Sequence, residues 1–298
     1  MTHIVVLGST NMDLVTHAPR PPAPGETLTG RDFRTTPGGK GANQAIAAAR
    51  AGATVSMIGA VGTDPQGPLL RATLDQAGVN TDHLRTMDTA SGTAHITVDD
   101  DGGSAIVVIP GANGTVDHLA PGDETLIASA DTLLLLQLEI PLPAVVAAAR
   151  AARAHGVRTV LTPSPVTPLP PELLAVTDLL VPNAYEAITL SDRTDPVDAA
   201  RHLLTLVPEV IVTLGAAGAL HVSRTTAPLA VPAPHTTPVD STAARDTFVG
   251  ALATALGEER PLDQALRWAA AAASLSVERP GAATSMPYRQ EIEERHAA

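Results

Sequence analysis

Ile4-Val5-Val6-Leu7-Gly8-Ser9-Thr10-Asn11-Met12-Asp13 opens the chain with four aliphatic residues in a row, then small and polar ones. An unbroken apolar run of this length reads as a strand buried on both faces, as in a parallel sheet. Gly8 ends it. The polar stretch that follows therefore lies at the carboxyl end of a strand, where open parallel sheets bind ligands. Asn11 and Asp13, two apart in extended chain, face the same way and could grip vicinal hydroxyls. An ordinary Asx-rich turn is the competing reading.

Working outward, the same kind of run recurs at Thr54–Ile58, Leu133–Leu136, Thr159–Leu161, Leu179–Val181 and Val210–Val212. Helical stretches lie between the runs: Lys40–Ala51, Gly67–Gln76, Pro143–Ala154, Pro171–Ala175, Ala184–Leu190 and Pro196–Leu206. This alternation predicts βαβ units and an α/β fold, a three-layer sandwich around a mostly parallel central sheet. Three more helices are expected at Asp246–Glu258, Leu262–Val277 and Tyr288–His296. Two regions break the rhythm. Residues 14–36 are rich in Pro, Thr and Gly, and residues 92–110 alternate around Asp99-Asp100-Asp101-Gly102-Gly103, a hairpin signature. They predict a small antiparallel sheet projecting from a single domain that spans 1–298.

Composition removes whole classes of function. With 44% hydrophobic and 17% charged residues, the chain can bury a core and is not a disordered one. A net charge of −12 with 2% aromatics suits no nucleic acid. The absence of Cys excludes disulfides, thiol catalysis and Cys-ligated metals. The most apolar stretch, Thr132–Ala149, is interrupted by Glu139, Pro141 and Pro143, so no membrane span is expected. The first residues lack the basic and long apolar regions of a signal peptide, which points to the cytoplasm. Of 19 basic residues, one is Lys, at position 40.

That Lys falls in Gly38-Gly39-Lys40-Gly41-Ala42-Asn43-Gln44. The glycines let a ligand approach the backbone and the next helix's amides. The spacing is not that of a Walker A loop. In a chain that otherwise uses Arg, a lone ammonium here suggests that a guanidinium would not fit. Glu139, after the Leu-rich strand, is either a solvated strand end or a ligand contact. Asn183-Ala184-Tyr185-Glu186 can form a capping box, or can organise a hydrated Mg²⁺ through oxygen ligands. Thr213-Leu214-Gly215-Ala216-Ala217-Gly218 lacks bulk and could frame a nucleotide. In Asp240-Ser241-Thr242-Ala243-Ala244-Arg245-Asp246, small residues lead into a helix whose first turn carries Asp246. That carboxylate either stabilises the helix dipole or accepts a proton from an attacking hydroxyl.

In this order, GSTNMD, Pro24-Gly25-Glu26-Thr27, GGKGANQA, Gln137-Leu138-Glu139, PNxxE, TLGxxG and VDSTAxxD resemble the ribokinase-like (PfkB) family of carbohydrate kinases over nearly the whole chain. The resemblance implies ATP-dependent phosphorylation of a sugar, D-ribose to ribose 5-phosphate. It also implies that the small sheet is a lid over the sugar, joining two subunits in a homodimer. Asn11, Asp13, Gly39, Lys40, Asn43 and Glu139 would hold the sugar. Asn183, Thr213, Gly215 and Gly218 would line the ATP site, and Glu186 would reach Mg²⁺ through water. Asp240 and Thr242, with backbone groups near Arg279, Gly281 and Ser285, would form a site for a monovalent cation, K⁺. Asp246 would be the catalytic base, beside an anion hole at Ala244 and Arg245. The family has Gly where this chain has Arg245, so impaired activity is expected there. The alternatives are a sugar- or nucleotide-binding protein with little turnover, or a kinase of the same fold acting on a nucleoside or another sugar.

Overall fold

In a computed structural model, which describes residues 2–100, 103–130 and 133–297, the aliphatic runs pair side by side. The strands are β1 (His3–Leu7), β2 (Asn11–His17), β3 (Asp32–Gly38), β4 (Thr54–Gly62), β5 (Val79–Asn80), β6 (Leu84–Met87), β7 (Gly92–Val98), β8 (Ser104–Ile109), β9 (Leu133–Leu136), β10 (Arg158–Leu161), β11 (Leu179–Leu180), β12 (Glu209–Thr213), β13 (Ala219–Ser223) and β14 (Leu229–Val231). The helices are α1 (Lys40–Arg50), α2 (Gln66–Gln76), α3 (Asp123–Ala128), α4 (Leu142–Ala154), α5 (Pro171–Leu174), α6 (Ala184–Ser191), α7 (Pro196–Leu203), α8 (Ala244–Gly257), α9 (Leu262–Ser276) and α10 (Arg289–Ala297).

The large sheet runs β14-β13-β12-β11-β10-β9-β1-β4-β5, with β6 also on β4. It is parallel except at one edge, where β13 and β14 pair antiparallel. Alternation along each strand feeds two cores. Ile4, Val6, Met57, Leu133 and Leu135 pack with Phe248 and Trp268 on the side of α1, α8 and α9. Val5, Leu7, Leu134 and Leu136 pack with Val145 and Leu203 on the side of α4 and α7. That explains why these strands read as continuous apolar runs. Few aromatics are needed because small residues bring the helices close. A Cβ on Gly250 of α8 would stand 2.6 Å from the Ala47 Cβ of α1.

The small sheet has the order β3-β2-β7-β8. It is not wholly antiparallel, as the sequence suggested. β2–β3 and β7–β8 are antiparallel, but β2 and β7 pair parallel, from Asn11 opposite Gly92 to His17 opposite Val98. Each hairpin presents its first strand to the other, and two first strands leaving the body together must run the same way. Asp101 and Gly102 of the anticipated turn lie outside the described residues. Among the described residues, no helix is long and apolar enough to cross a membrane.

Candidate active site

Asn11 and Asp13 open β2, where the chain passes from the large sheet into the small one. Both are buried. The Asn113 side chain fixes the turn before them. It accepts from the Thr10 amide at 2.9 Å and donates to the Thr10 carbonyl at 2.9 Å and to Asn11 Oδ1 at 2.7 Å. Gly39 caps α1 at φ 92°, and a Cβ there would meet the Asn11 nitrogen at 2.7 Å. Glycine is thus required for this loop to lie against β2.

Glu139 follows β9 and accepts from Ser9 Oγ at 2.5 Å and from the Lys40 amide at 3.0 Å. Lys40 Nζ stands 3.7 Å from its other oxygen. Asp246, in the first turn of α8, is buried and held on both oxygens: Asn43 Nδ2 donates at 3.2 Å and Gln44 Nε2 at 3.0 Å. Gln137 in turn donates to Gln44 Oε1 at 2.7 Å. Three carboxylates, Asp13, Glu139 and Asp246, therefore surround Lys40. Burial, then the charge of Glu139, pushes Asp13 up to about 7, with Lys40 opposing and Asp246 adding to the rise. Burial also raises Asp246, against the pull of Lys40, Arg245, Gln44 and Asn43. The Asn43 side-chain oxygen, Oδ1, is buried with no partner in the protein, an acceptor left for a ligand hydroxyl.

Asn183 and Glu186 do form a capping box on α6. Glu186 N donates to Asn183 Oδ1 at 2.8 Å and Asn183 N to Glu186 Oε2 at 2.9 Å. Asn183 also bridges to Thr213 at the end of β12. The turn after β12 closes by Leu214 N donating to the Gly218 carbonyl at 2.7 Å, and Gly218 at φ 96° has no room for a Cβ. The capping box and this turn thus sit side by side at the carboxyl ends of adjacent strands.

The loop before α8 turns on Asp240. Its carboxylate accepts from the Thr242 amide (2.9 Å) and hydroxyl (2.5 Å), the Gly281 amide (2.8 Å) and Arg34 Nη2 (3.2 Å). Burial alone would raise its pKa, but these donors and the Arg34 charge bring it below the usual value. The side chains of Arg279 and Ser285 donate to Glu291 and to the Ala282 carbonyl, which leaves their backbone carbonyls as the groups a cation would use. The left-handed residue of the loop is Ala243, at φ 57°. Arg245 is in the helix proper, so a side chain at that position carries no left-handed backbone strain. Its guanidinium pairs with Glu186.

Ser9, Gln44, Gln137, Asn113 and Arg34 were not among the sequence candidates. Ser9, Gln44 and Gln137 lie inside the quoted motifs and support a neighbour rather than a ligand. Asn113 and Arg34 lie outside them.

An open α/β sheet with a second sheet over its carboxyl ends, and a buried carboxylate at a helix N-terminus, is the architecture of a sugar kinase. The pattern of the pfkB family of carbohydrate kinases matches residues 1–289, and the chain belongs to that family. It is 40% identical to a ribokinase of Haemophilus influenzae over 97% of this chain and 96% of that one. It is 39% identical to a ribokinase of Bacillus subtilis over 99% of both. The structure of Arabidopsis thaliana ribokinase complexed with ribose and ATP superposes with a TM-score of 0.93 at 33% identity, covering 100% of each chain.

Proposed function

We infer that this chain transfers the γ-phosphoryl group of ATP to D-ribose, giving ribose 5-phosphate and ADP. The observation that carries the reading is Asp246: a buried carboxylate held by Asn43 and Gln44, at the N-terminus of α8, coupled to the Asp13, Lys40 and Glu139 cluster. Asn11, Asp13, Gly39, Lys40, Asn43 and Glu139 bind the sugar hydroxyls. Asn183, Thr213, Gly215 and Gly218 take the nucleotide. Asp246 removes the proton from the attacking hydroxyl; its raised pKa makes it a stronger base than a solvated carboxylate. The sugar oxygen bonds to the γ-phosphorus, the bond to the β-phosphate oxygen breaks, and ADP leaves. No side chain caps α8, and the Ala244 amide makes only a long 3.3 Å bond to the Ser241 carbonyl, so the first-turn amides at Ala244 and Arg245 would serve as the anion hole, Ala244 by exchanging that bond for the charge that develops.

Among the described residues no cluster of three or more metal-ligating side chains forms, so a divalent ion would be held largely by phosphates and water. The Glu186 carboxylate fits such a hydrated ion, and Mg²⁺ there would neutralise phosphate charge. The oxygens of Asp240 and Thr242 fit a monovalent cation such as K⁺, in competition with Arg34. The chain acts as one α/β domain, 1–298, in the cytoplasm, with its lid drawn from about 14–36 and 92–110.

An ADP-release assay over ribose, 2-deoxyribose, fructose and nucleosides tests the reading. Ribose is expected to be turned over best. Silence on ribose with turnover of a nucleoside reassigns the substrate.

Lys40→Arg is expected to weaken ribose binding about tenfold or more, because the guanidinium is larger and planar in a space bounded by Gly39 and three carboxylates. Calorimetry with ribose checks it; unchanged affinity returns Lys40 to coincidence.

The second copy belongs on the lid. β8 is an edge strand whose Ile106 and Val107 are 56% and 62% exposed, beside the exposed Val108 and Ile109. An edge this apolar is a pairing surface. Val107→Lys is expected to convert a homodimer to monomer in sedimentation; an unchanged sedimentation coefficient removes β8 from the interface.

A further inference from the structure

Arg245 precedes Asp246 in the first turn of α8 and reaches across to Glu186 at the start of α6. The pair is largely withdrawn from solvent, with side-chain exposures of 17% for Arg245 and 5% for Glu186. Glu186 does not need this partner to do its local work. The same oxygen, Oε2, already closes the capping box with the Asn183 amide. A guanidinium in that place therefore adds charge between two helix N-termini, both of which already favour anions. Its field also reaches Asp246, whose carboxylate it stabilises together with Lys40.

The polyphosphate of the nucleotide has to run between the turn at Thr213–Gly218 and Asp246. The Arg245–Glu186 pair lies on that line. A triphosphate entering there is a stronger and more highly charged acceptor than one carboxylate, and it matches the planar donor fork. The Arg245 backbone is helical, so the side chain can move by rotamer change alone.

Resting on the kinase reading above, we propose that Arg245 is a catalytic residue that Glu186 holds in the free enzyme. With the nucleoside triphosphate bound, with or without the sugar, the guanidinium turns to the γ-phosphoryl oxygens. It takes no proton and forms no covalent bond; it stabilises charge as the sugar oxygen attacks and the β-phosphate oxygen departs. This is the opposite of a side chain that blocks the anion hole.

The test compares the parent chain with Arg245→Gly, Arg245→Gln and Arg245→Lys. Removing the charge is expected to lower kcat roughly 10²–10³-fold, the scale of losing a donor to the transition state. The KM for the sugar should stay within about twofold, since uniform sugar binding is untouched. Calorimetry with ADP and with the β,γ-imido analogue of ATP reads the γ-phosphoryl contact directly. The preference for the analogue is expected to fall about tenfold in Arg245→Gln, which corresponds to one lost charged contact. Arg245→Lys should recover part of both losses. If the neutral variants fail to fold, Arg245→Lys carries the test: it keeps the charge and loses the fork, so kcat should still fall about tenfold. An Arg245→Gly enzyme as fast as the parent or faster, an unchanged analogue preference, or full activity in Arg245→Lys each overturns the proposal. The calorimetric arm needs no sugar, so it remains decisive if ribose proves to be the wrong substrate.

Discussion

Asp246→Asn is expected to lower kcat roughly 10²–10⁴-fold, the usual contribution of a positioned general base, while ribose still binds. The argument rests on what holds the carboxylate. Asn43 and Gln44 donate one hydrogen bond to each oxygen, which leaves the lone pairs that face the sugar as proton acceptors. An amide presents one oxygen and one NH₂, so one of the two donors loses its acceptor. That costs about 1–3 kcal/mol of stability in a buried site. Thermal melting is therefore measured beside the kinetics, to separate a lost base from a lost fold. The pH profile adds a second reading. In the parent enzyme the rate falls on the acid side as Asp246 takes up a proton, and burial moves that limb above the ordinary aspartate range. The variant should lose the limb altogether. A residual rate within tenfold of the parent, with the limb intact, would show that another group takes the proton.

Much of the fold was legible because its strands are buried on both faces. A run such as Leu133–Leu136 has to be inside, and six such runs spaced by helical stretches leave few architectures other than a layered parallel sheet. β13 and β14 were missed because they form a short antiparallel edge, and β14 is only partly buried, so neither has the long apolar run. The direction of β2 against β7 was missed for a related reason. Register between two hairpins is set by how each one leaves the body, not by any pattern within it. At the site, the residues that point at a ligand lay in motifs and could be read. The residues that hold them could not. Asn113 fixes Asn11 from about a hundred positions away, and Arg34 crosses from β3 to Asp240 across the fold. Such contacts depend on three-dimensional closure and leave no local signature. Arg245, which stands where the family has Gly, lies in helical backbone, and the left-handed position is Ala243, two residues earlier. There the methyl group costs about 1 kcal/mol and Arg245 nothing of that kind.

Asp13→Asn is expected to make the sugar-free protein more stable at pH 8 while weakening ribose binding roughly 10–150-fold. In the folded chain burial and the Glu139 charge raise the Asp13 pKa from 3.8 to about 7. The folded state thus holds this proton more tightly than the unfolded state does. Below pH 3.8 both are protonated and Asp13 costs nothing. Between 3.8 and 7 the unfolded chain ionises first, so stability falls by about 1.4 kcal/mol per pH unit. Above 7 the loss is complete, at up to about 4 kcal/mol. Asn carries no charge to bury, so denaturation curves of variant and parent should coincide near pH 4 and diverge towards pH 8, with the variant the more stable. The binding cost has the opposite sign. A carboxylate that accepts from a sugar hydroxyl makes a charged hydrogen bond of about 1.5–3 kcal/mol, so losing one weakens binding roughly 10–150-fold. The same logic predicts that ribose, by preferring the ionised form, drives a proton off Asp13 when it binds near pH 7. Calorimetry in two buffers of different ionisation heat would register that proton, and the parent's affinity should rise from pH 6 to pH 8. If Asp13→Asn is no more stable than the parent at pH 8, the strain of gathering three carboxylates is not borne by Asp13. If ribose releases no proton, the ionised carboxylate is not what the sugar selects.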